Sequence, residues 1–157
     1  MIIFRRESFH KTDIAITRWM ASRGLFFLRV SIGLIFLWFG ALKFFEGLSP
    51  AEDLATVTIR TITFGLISDK VILFGLAIWE VLIGIGLLFR IFIRETLLLL
   101  FLQMIGTFMP VFLFPGLVFN IFPYSLTMEG QYIIKNLVVV SAGIVIGATV
   151  RGGRLVA

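Results

Sequence analysis

Four long apolar stretches divide the chain. They run from about Gly24 to Phe45, from Val71 to Phe89, from Thr96 to about Phe114 and from Tyr132 to Val150. Each is apolar around its whole circumference rather than along one stripe, which marks a helix surrounded by lipid or protein. At 1.5 Å per residue each spans roughly 28–33 Å, enough for a hydrocarbon core of about 30 Å. The pattern predicts an all-α fold: a polytopic membrane four-helix bundle forming a single domain over residues 1–157.

The connections carry their own signals. Residues 1–23 are mixed and basic, with Arg5, Arg6, Lys11, Arg18 and Arg23 against Glu7 and Asp13. A cleavable leader would put an apolar core followed by small residues here, and this stretch does not. With Ile14, Trp19 and Met20 among its cations, the tail reads either as a short helix at headgroup level or as a solvated segment. Between the first two spans, Ser49-Pro50-Ala51-Glu52 has the form of a capping box, with Ser49 as N-cap, Pro50 opening the helix and Glu52 reaching back. Leu54, Val57 and Thr61 follow at helical spacing, predicting a short interfacial helix over the outer end. The last loop, Phe114 to Gln131, is apolar yet broken by Pro115, Gly116 and Pro123. Irregular backbone at that depth requires protein around it, so both loops are expected to cover the outer end of the bundle.

Composition agrees. Hydrophobic residues make up 59% of the chain and charged residues 15%, too few charges to clothe a water-facing surface. The net charge of +5 is not a nucleic-acid footprint, because the basic residues gather at span ends. Nine of the 14 Lys and Arg (Arg5, Arg6, Lys11, Arg18, Arg23, Arg90, Arg94, Arg151 and Arg154) fall on one side of a four-span topology. The positive-inside rule then puts both termini in the cytoplasm. The chain has no cysteine and its one histidine, His10, lies in the tail. Thiol relays, iron–sulfur ligation and bis-histidine haem are thereby excluded, and no metal site or self-contained catalytic motif is present.

Candidate chemistry lies with the few polar residues inside the spans. Glu80 sits near the middle of the second, where a carboxylate costs about 2.5–3.5 kcal/mol on insertion scales. The thirteen Val, Ile, Leu and Phe of that span return about 0.3–0.6 kcal/mol each, so it still inserts. Insertion does not require Glu80, which is expected to face the bundle interior with a cationic or hydrogen-bonding partner. Counting from the Arg90–Arg94 turn puts Glu80 and Gln103 at the same depth, roughly 13–15 Å in. Lys43 and Lys135 lie nearer the outer end, with stems long enough to reach toward Glu80, and Asn136 is close by. Arg29 reads as a residue that snorkels to the headgroups. The expected pocket is therefore Lys43, Glu80, Gln103, Lys135 and Asn136. Its bland alternative is polar glue between helices, worth about 1 kcal/mol or less per residue, and for Gln103 and Asn136 that alternative is favoured. Glycines at 33, 40, 84 and 86 permit close helix contact, and Gly143-x-x-x-Gly147 permits either an intrachain contact or an oligomer.

Several stretches together resemble a known family. Arg29-Val-Ser-Ile-Gly through Gly40-Ala-Leu-Lys43, Trp79-Glu80-Val-Leu-Ile-Gly, Thr107-Phe-Met-Pro110 and Gly130-Gln-Tyr-Ile-Ile-Lys135-Asn136-Leu occur in the order seen in the DoxX-like membrane family. The resemblance, which covers about Gly24 to Val150, is greatest to its RclC/YkgB reactive-chlorine-resistance branch. Where that branch commonly has Lys-Asp in the last span, this chain has Lys135-Asn136, which leaves Glu80 as the counter-ion for a lysine. The resemblance implies a bacterial inner-membrane protein associated with respiratory, quinone-linked or oxidative-stress systems. Partners would be other membrane oxidoreductase subunits, and a quinone would be the candidate cofactor. Two alternatives stand beside this accessory-subunit reading: a small-solute or proton permeation protein, and a purely structural subunit of a larger complex.

Overall fold

A computed structural model describes residues 2–45, 47–49 and 52–153, with side chains from His10 onward. Of the residues singled out above, Pro50, Ala51 and Arg154 lie outside the described ones, as do the side chains of Arg5, Arg6 and Glu7. The helices are α1 (Ile2–Leu42), α2 (Glu52–Ile62), α3 (Asp69–Phe89), α4 (Ile93–Leu113), α5 (Pro115–Val118) and α6 (Met128–Ala148). Between α5 and α6 the strands β1 (Phe119–Ile121) and β2 (Ser125–Leu126) pair antiparallel. The protein is an all-α bundle whose departure from helix is this small hairpin. The helices α1, α3, α4 and α6 are long and apolar enough to cross a membrane, making this a multi-pass membrane protein.

The first helix corrects the sequence reading. The tail is not a separate short helix, because α1 runs without a break for 41 residues, and its stretch from His10 to Gly24 is almost wholly exposed in the bundle. The full helix is roughly 60 Å, longer than a bilayer of about 40–45 Å including its headgroups. The local reason is plain in the sequence: no proline occurs before Pro50, and Gly24 alone does not stop a helix once it is propagating. The turn between α3 and α4 is as short as expected, with Arg90 and Phe92 both in the left-handed region (φ +58° and +44°) and the Arg90 N–H donating to the Gly86 carbonyl.

Helix pairing is antiparallel throughout. On α1, Gly33, Leu37 and Gly40 lie against Leu88, Gly84 and Glu80 of α3, so one number rises as the other falls. Thr96 of α4 lies against Gly86 of α3, and Phe101 and Leu97 of α4 face Gly143 and Gly147 of α6. Those two glycines thus serve a contact inside the chain. The bundle goes up in α1, down in α3, up in α4 and down in α6, which leaves the described chain ends together. The opposite end is the one that the distribution of Lys and Arg assigns as outer.

The α1–α3 contact is the most extensive, and it is close. A Cβ on Gly84 would stand 2.6 Å from the Leu37 backbone nitrogen, and one on Gly40 would stand 2.8 Å from Glu80 Cβ. Beneath this seam lies the larger core: Ile32, Phe36, Ile83, Leu87, Leu97, Leu100, Met104, Val139, Ala142 and Ile146.

Toward the outer end the construction changes. After Leu42 the chain tightens into turns in which Lys43, Phe44 and Phe45 N–H groups bond to the carbonyls of Gly40, Ala41 and Leu42. Yet α3 continues past the level of Gly40 from Glu80 out to Asp69, roughly 15 Å more of helix. The space beside it is taken by α2, which packs across α3 and α4. A second, smaller core forms there from Leu54 of α2, Val118 of α5 and Ile133 of α6, with Val57, Phe108, Val111, Phe119 and Leu126 around it. Thr127 ties the hairpin to α6: its hydroxyl accepts from the Gly130 N–H at 3.0 Å and donates to the Leu117 carbonyl at 2.7 Å.

Candidate functional site

Three polar side chains meet where the larger core gives way to the smaller one. Glu80 belongs to the buried face of α3, in line with Ala77, Ile83, Gly84 and Leu87 at helical spacing. Gln103 continues the buried face of α4 set by Thr96, Leu97 and Leu100. Lys43 comes from the turn after α1, three residues beyond Gly40. Because Gly40 has no side chain, α1 settles onto the backbone at Glu80 and Val81, and this lowers Lys43 onto the carboxylate.

The geometry is a closed relay of charge-assisted hydrogen bonds. The Lys43 ammonium donates to Glu80 Oε2 at 2.6 Å, and the Gln103 amide donates to Oε1 at 2.9 Å. The side chains of Lys43 and Glu80 retain only 9% and 11% of their exposure. Both carboxylate oxygens are thus engaged, by one cation and one neutral donor. Thr107, a turn further out on α4, donates its hydroxyl to the Gln103 carbonyl at 2.9 Å. Bonds of this kind are about twice as strong as neutral ones, and low local polarity strengthens them further.

Lys135 and Asn136 stand apart from this group. Lys135 is exposed and holds its ammonium over the Tyr132 ring, 5.8 Å from the centroid. Asn136 donates to the Tyr132 carbonyl of its own helix at 2.9 Å. The inward face of α6 is set by Ile133, Val139, Ala142 and Ile146, and Lys135 follows Ile133 by two residues, which at 3.6 residues per turn points it away. Of the five predicted pocket residues, the fold brings together Lys43, Glu80 and Gln103.

Two polar contacts were not legible beforehand. Arg29 does not extend to the headgroups. Its guanidinium donates to the Leu88 carbonyl at 2.9 Å and also to the Leu87 carbonyl, capping the C-terminal end of α3 where helix carbonyls lack partners. Trp79 donates its indole N–H to the Leu99 carbonyl of α4 at 3.1 Å. A hint was available in each case: Arg29 precedes Gly33 by one turn, and Trp79 adjoins Glu80.

Chemically, the triad can hold and move a proton and can donate hydrogen bonds. Lys43 has two further N–H donors, and Gln103 has a second N–H and a carbonyl oxygen. It contains no nucleophile activated by a base. Among the described residues, no three of His, Asp and Glu converge as metal ligands would. No protein-family model, curated protein or solved structure matches the chain.

Proposed function

We propose that this chain is a DoxX-like integral membrane protein acting as an accessory subunit of a respiratory or redox system. In this reading, Lys43, Glu80 and Gln103 form the polar end of a site for a quinone-like ligand, or pass a proton on behalf of a partner subunit. The observation that carries the reading is the Lys43–Glu80–Gln103 cluster held between apolar helices, at 2.6 and 2.9 Å. An ionised pair at that depth is costly to retain, and such residues mark functional sites by default. The unused donors on Lys43 and Gln103 suit a carbonyl or hydroxyl head group, while the surrounding Phe-rich helices suit an apolar tail. Lacking cysteine, with its one histidine in the tail, the chain leaves electrons to the ligand or to a partner. The excess of Lys and Arg on the side of the termini supports a cytoplasmic location for both, in a bacterial inner membrane.

The test is purification of the full chain in mild detergent, followed by mass spectrometry of co-purifying lipoquinones and proteins. Wild type should retain lipoquinone, and Lys43→Met or Gln103→Leu should reduce it at least about tenfold, the scale of one hydrogen bond to a charged group. Equal retention in all three would overturn the reading.

A structural reading is favoured by one observation: no buried side-chain nitrogen or oxygen lacks a hydrogen-bond partner among the described residues. In that reading, the double variant Lys43→Met/Glu80→Met keeps every bound molecule and partner that the wild type holds.

A further inference from the structure

We infer that α2 is a hinged lid over the outer end of the bundle, and that its opening admits molecules to Lys43, Glu80 and Gln103. The purpose of the lid rests on the site reading above; its motion does not.

The first support is where α2 sits. Because α1 stops near the level of Glu80, the outer part of the bundle is closed not by a fourth long helix but by an 11-residue one laid across α3 and α4. Leu54 and Val57 are its apolar grip, seated on Val118, Ile133, Phe108 and Val111. Two of its three hydroxyls bond within the helix itself: Thr58 donates to the Leu54 carbonyl at 2.6 Å and Thr61 to the Val57 carbonyl at 2.8 Å. Lifting α2 breaks none of these bonds.

The second support is the pair of glycines flanking the helix. Gly47 and Gly65 have φ of +77° and +74°, and a Cβ on either would meet nothing within 4 Å. Glycine passes between left- and right-handed backbone without steric cost. The Gly47 N–H donates to the Glu52 carboxylate at 3.2 Å and the Gly65 N–H to the Arg60 carbonyl at 2.8 Å, so the bonds these two N–H groups make stay within the α2 segment and move with it. The third support is the seam itself. A cleft of about 250 Å³ separates α2 from the start of α3, lined by Asp53, Thr56, Arg60, Asp69 and Leu73 among others. Across it Arg60 holds Asp69 through two hydrogen bonds, Nε to Oδ1 at 3.0 Å and Nη2 to Oδ2, joining lid to frame. Both partners are about half exposed, so water and salt limit what the pair contributes. The lid thus has two hinges, a small apolar seat and an exposed latch.

Because the chain has no cysteine, one introduced thiol reports without background. Ile133→Cys places a thiol beneath Leu54, and Val111→Cys is a second reporter in the same seat should the first fail to fold. Leu100→Cys, in the fully buried larger core, reports on loosening of the whole bundle. Each is reacted with a water-soluble cationic thiosulfonate in the detergent-purified full chain, without added ligand. With the latch removed by Arg60→Ala, the reporter under the lid should react about three- to fivefold faster, as befits a weak exposed pair. With Gly65→Ala, which disfavours the closed hinge, it should react about fivefold faster. Leu100→Cys should stay unreactive in the same backgrounds. Unchanged rates beneath α2, or rates that rise together with those at Leu100→Cys, would overturn the lid. Failure of the site reading instead appears as absent lipoquinone retention, whatever the thiols do.

Discussion

From Arg29 to Gly40, α1 lies against α3 with backbone nearly touching backbone, glycine by glycine, and an arginine clamps the end of α3. Beyond Glu80 α3 is covered by α2, a short helix held by a few apolar side chains and the exposed Arg60–Asp69 ion pair. The first arrangement has little room to loosen by degrees, because at Gly40 and Gly84 main chain lies directly against main chain. The second can separate at its seam while each piece stays folded. Glu80 sits on the border, bonded to the last residue the rigid half contributes. The bundle thus combines a fixed frame with a detachable cover, and its polar cluster lies where they meet.

The border should be the most sensitive point. Glu80→Ala leaves Lys43 without its partner, and breaking a buried pair costs about 3 kcal/mol, read as a lower unfolding midpoint in lipid–detergent micelles. The double variant Lys43→Met/Glu80→Met should recover most of that loss. If single and double variants unfold alike, the pair does not hold the border. Next comes the frame: Gly84→Val drives a Cβ into the Leu37 backbone and should cost about 2–3 kcal/mol. In the cover, Leu54→Ala removes a buried side chain at about 2 kcal/mol. That cost should appear as faster proteolysis between residues 43 and 68, with the midpoint of global unfolding nearly unchanged. A midpoint that falls with it would make frame and cover one unit. The smallest effect belongs to Lys135→Ala, below about 0.5 kcal/mol, because its ammonium rests over an exposed ring.

The contrast between Lys43 and Lys135 also shows what residue counting can and cannot deliver. Counting from charged span ends gives depth, since each residue advances a helix by a fixed rise. Depth was enough to pair Glu80 with Gln103 and to bring Lys43 within reach. It could not fix the rotation of α6, which follows from Gly143 and Gly147 lying against Phe101 and Leu97; that rotation turns Lys135 outward. The spans, the short outer helix and the covering loops were legible because hydropathy and helical spacing are local signals, although the Glu52 carboxylate accepts from the Gly47 N–H rather than reaching back to Ser49. The early end of α1 was not, since Lys43, Phe44 and Phe45 read as more of the same apolar stretch. The grip of Arg29 on α3 was hidden for another reason: its acceptors are main-chain carbonyls, which have no signature in a sequence.

That grip has a consequence for how the protein is made. Arg29 is synthesised 58 residues before the first carbonyl it binds, and Lys43 emerges 37 residues before its carboxylate. When α1 first meets the membrane, it carries two cations whose partners do not yet exist. Only the arrival of α3 supplies those partners, a carboxylate for Lys43 and helix-end carbonyls for Arg29, one at each end of the shared seam. The polar bonds that α1 makes inside the membrane are therefore available only once α3 has been made.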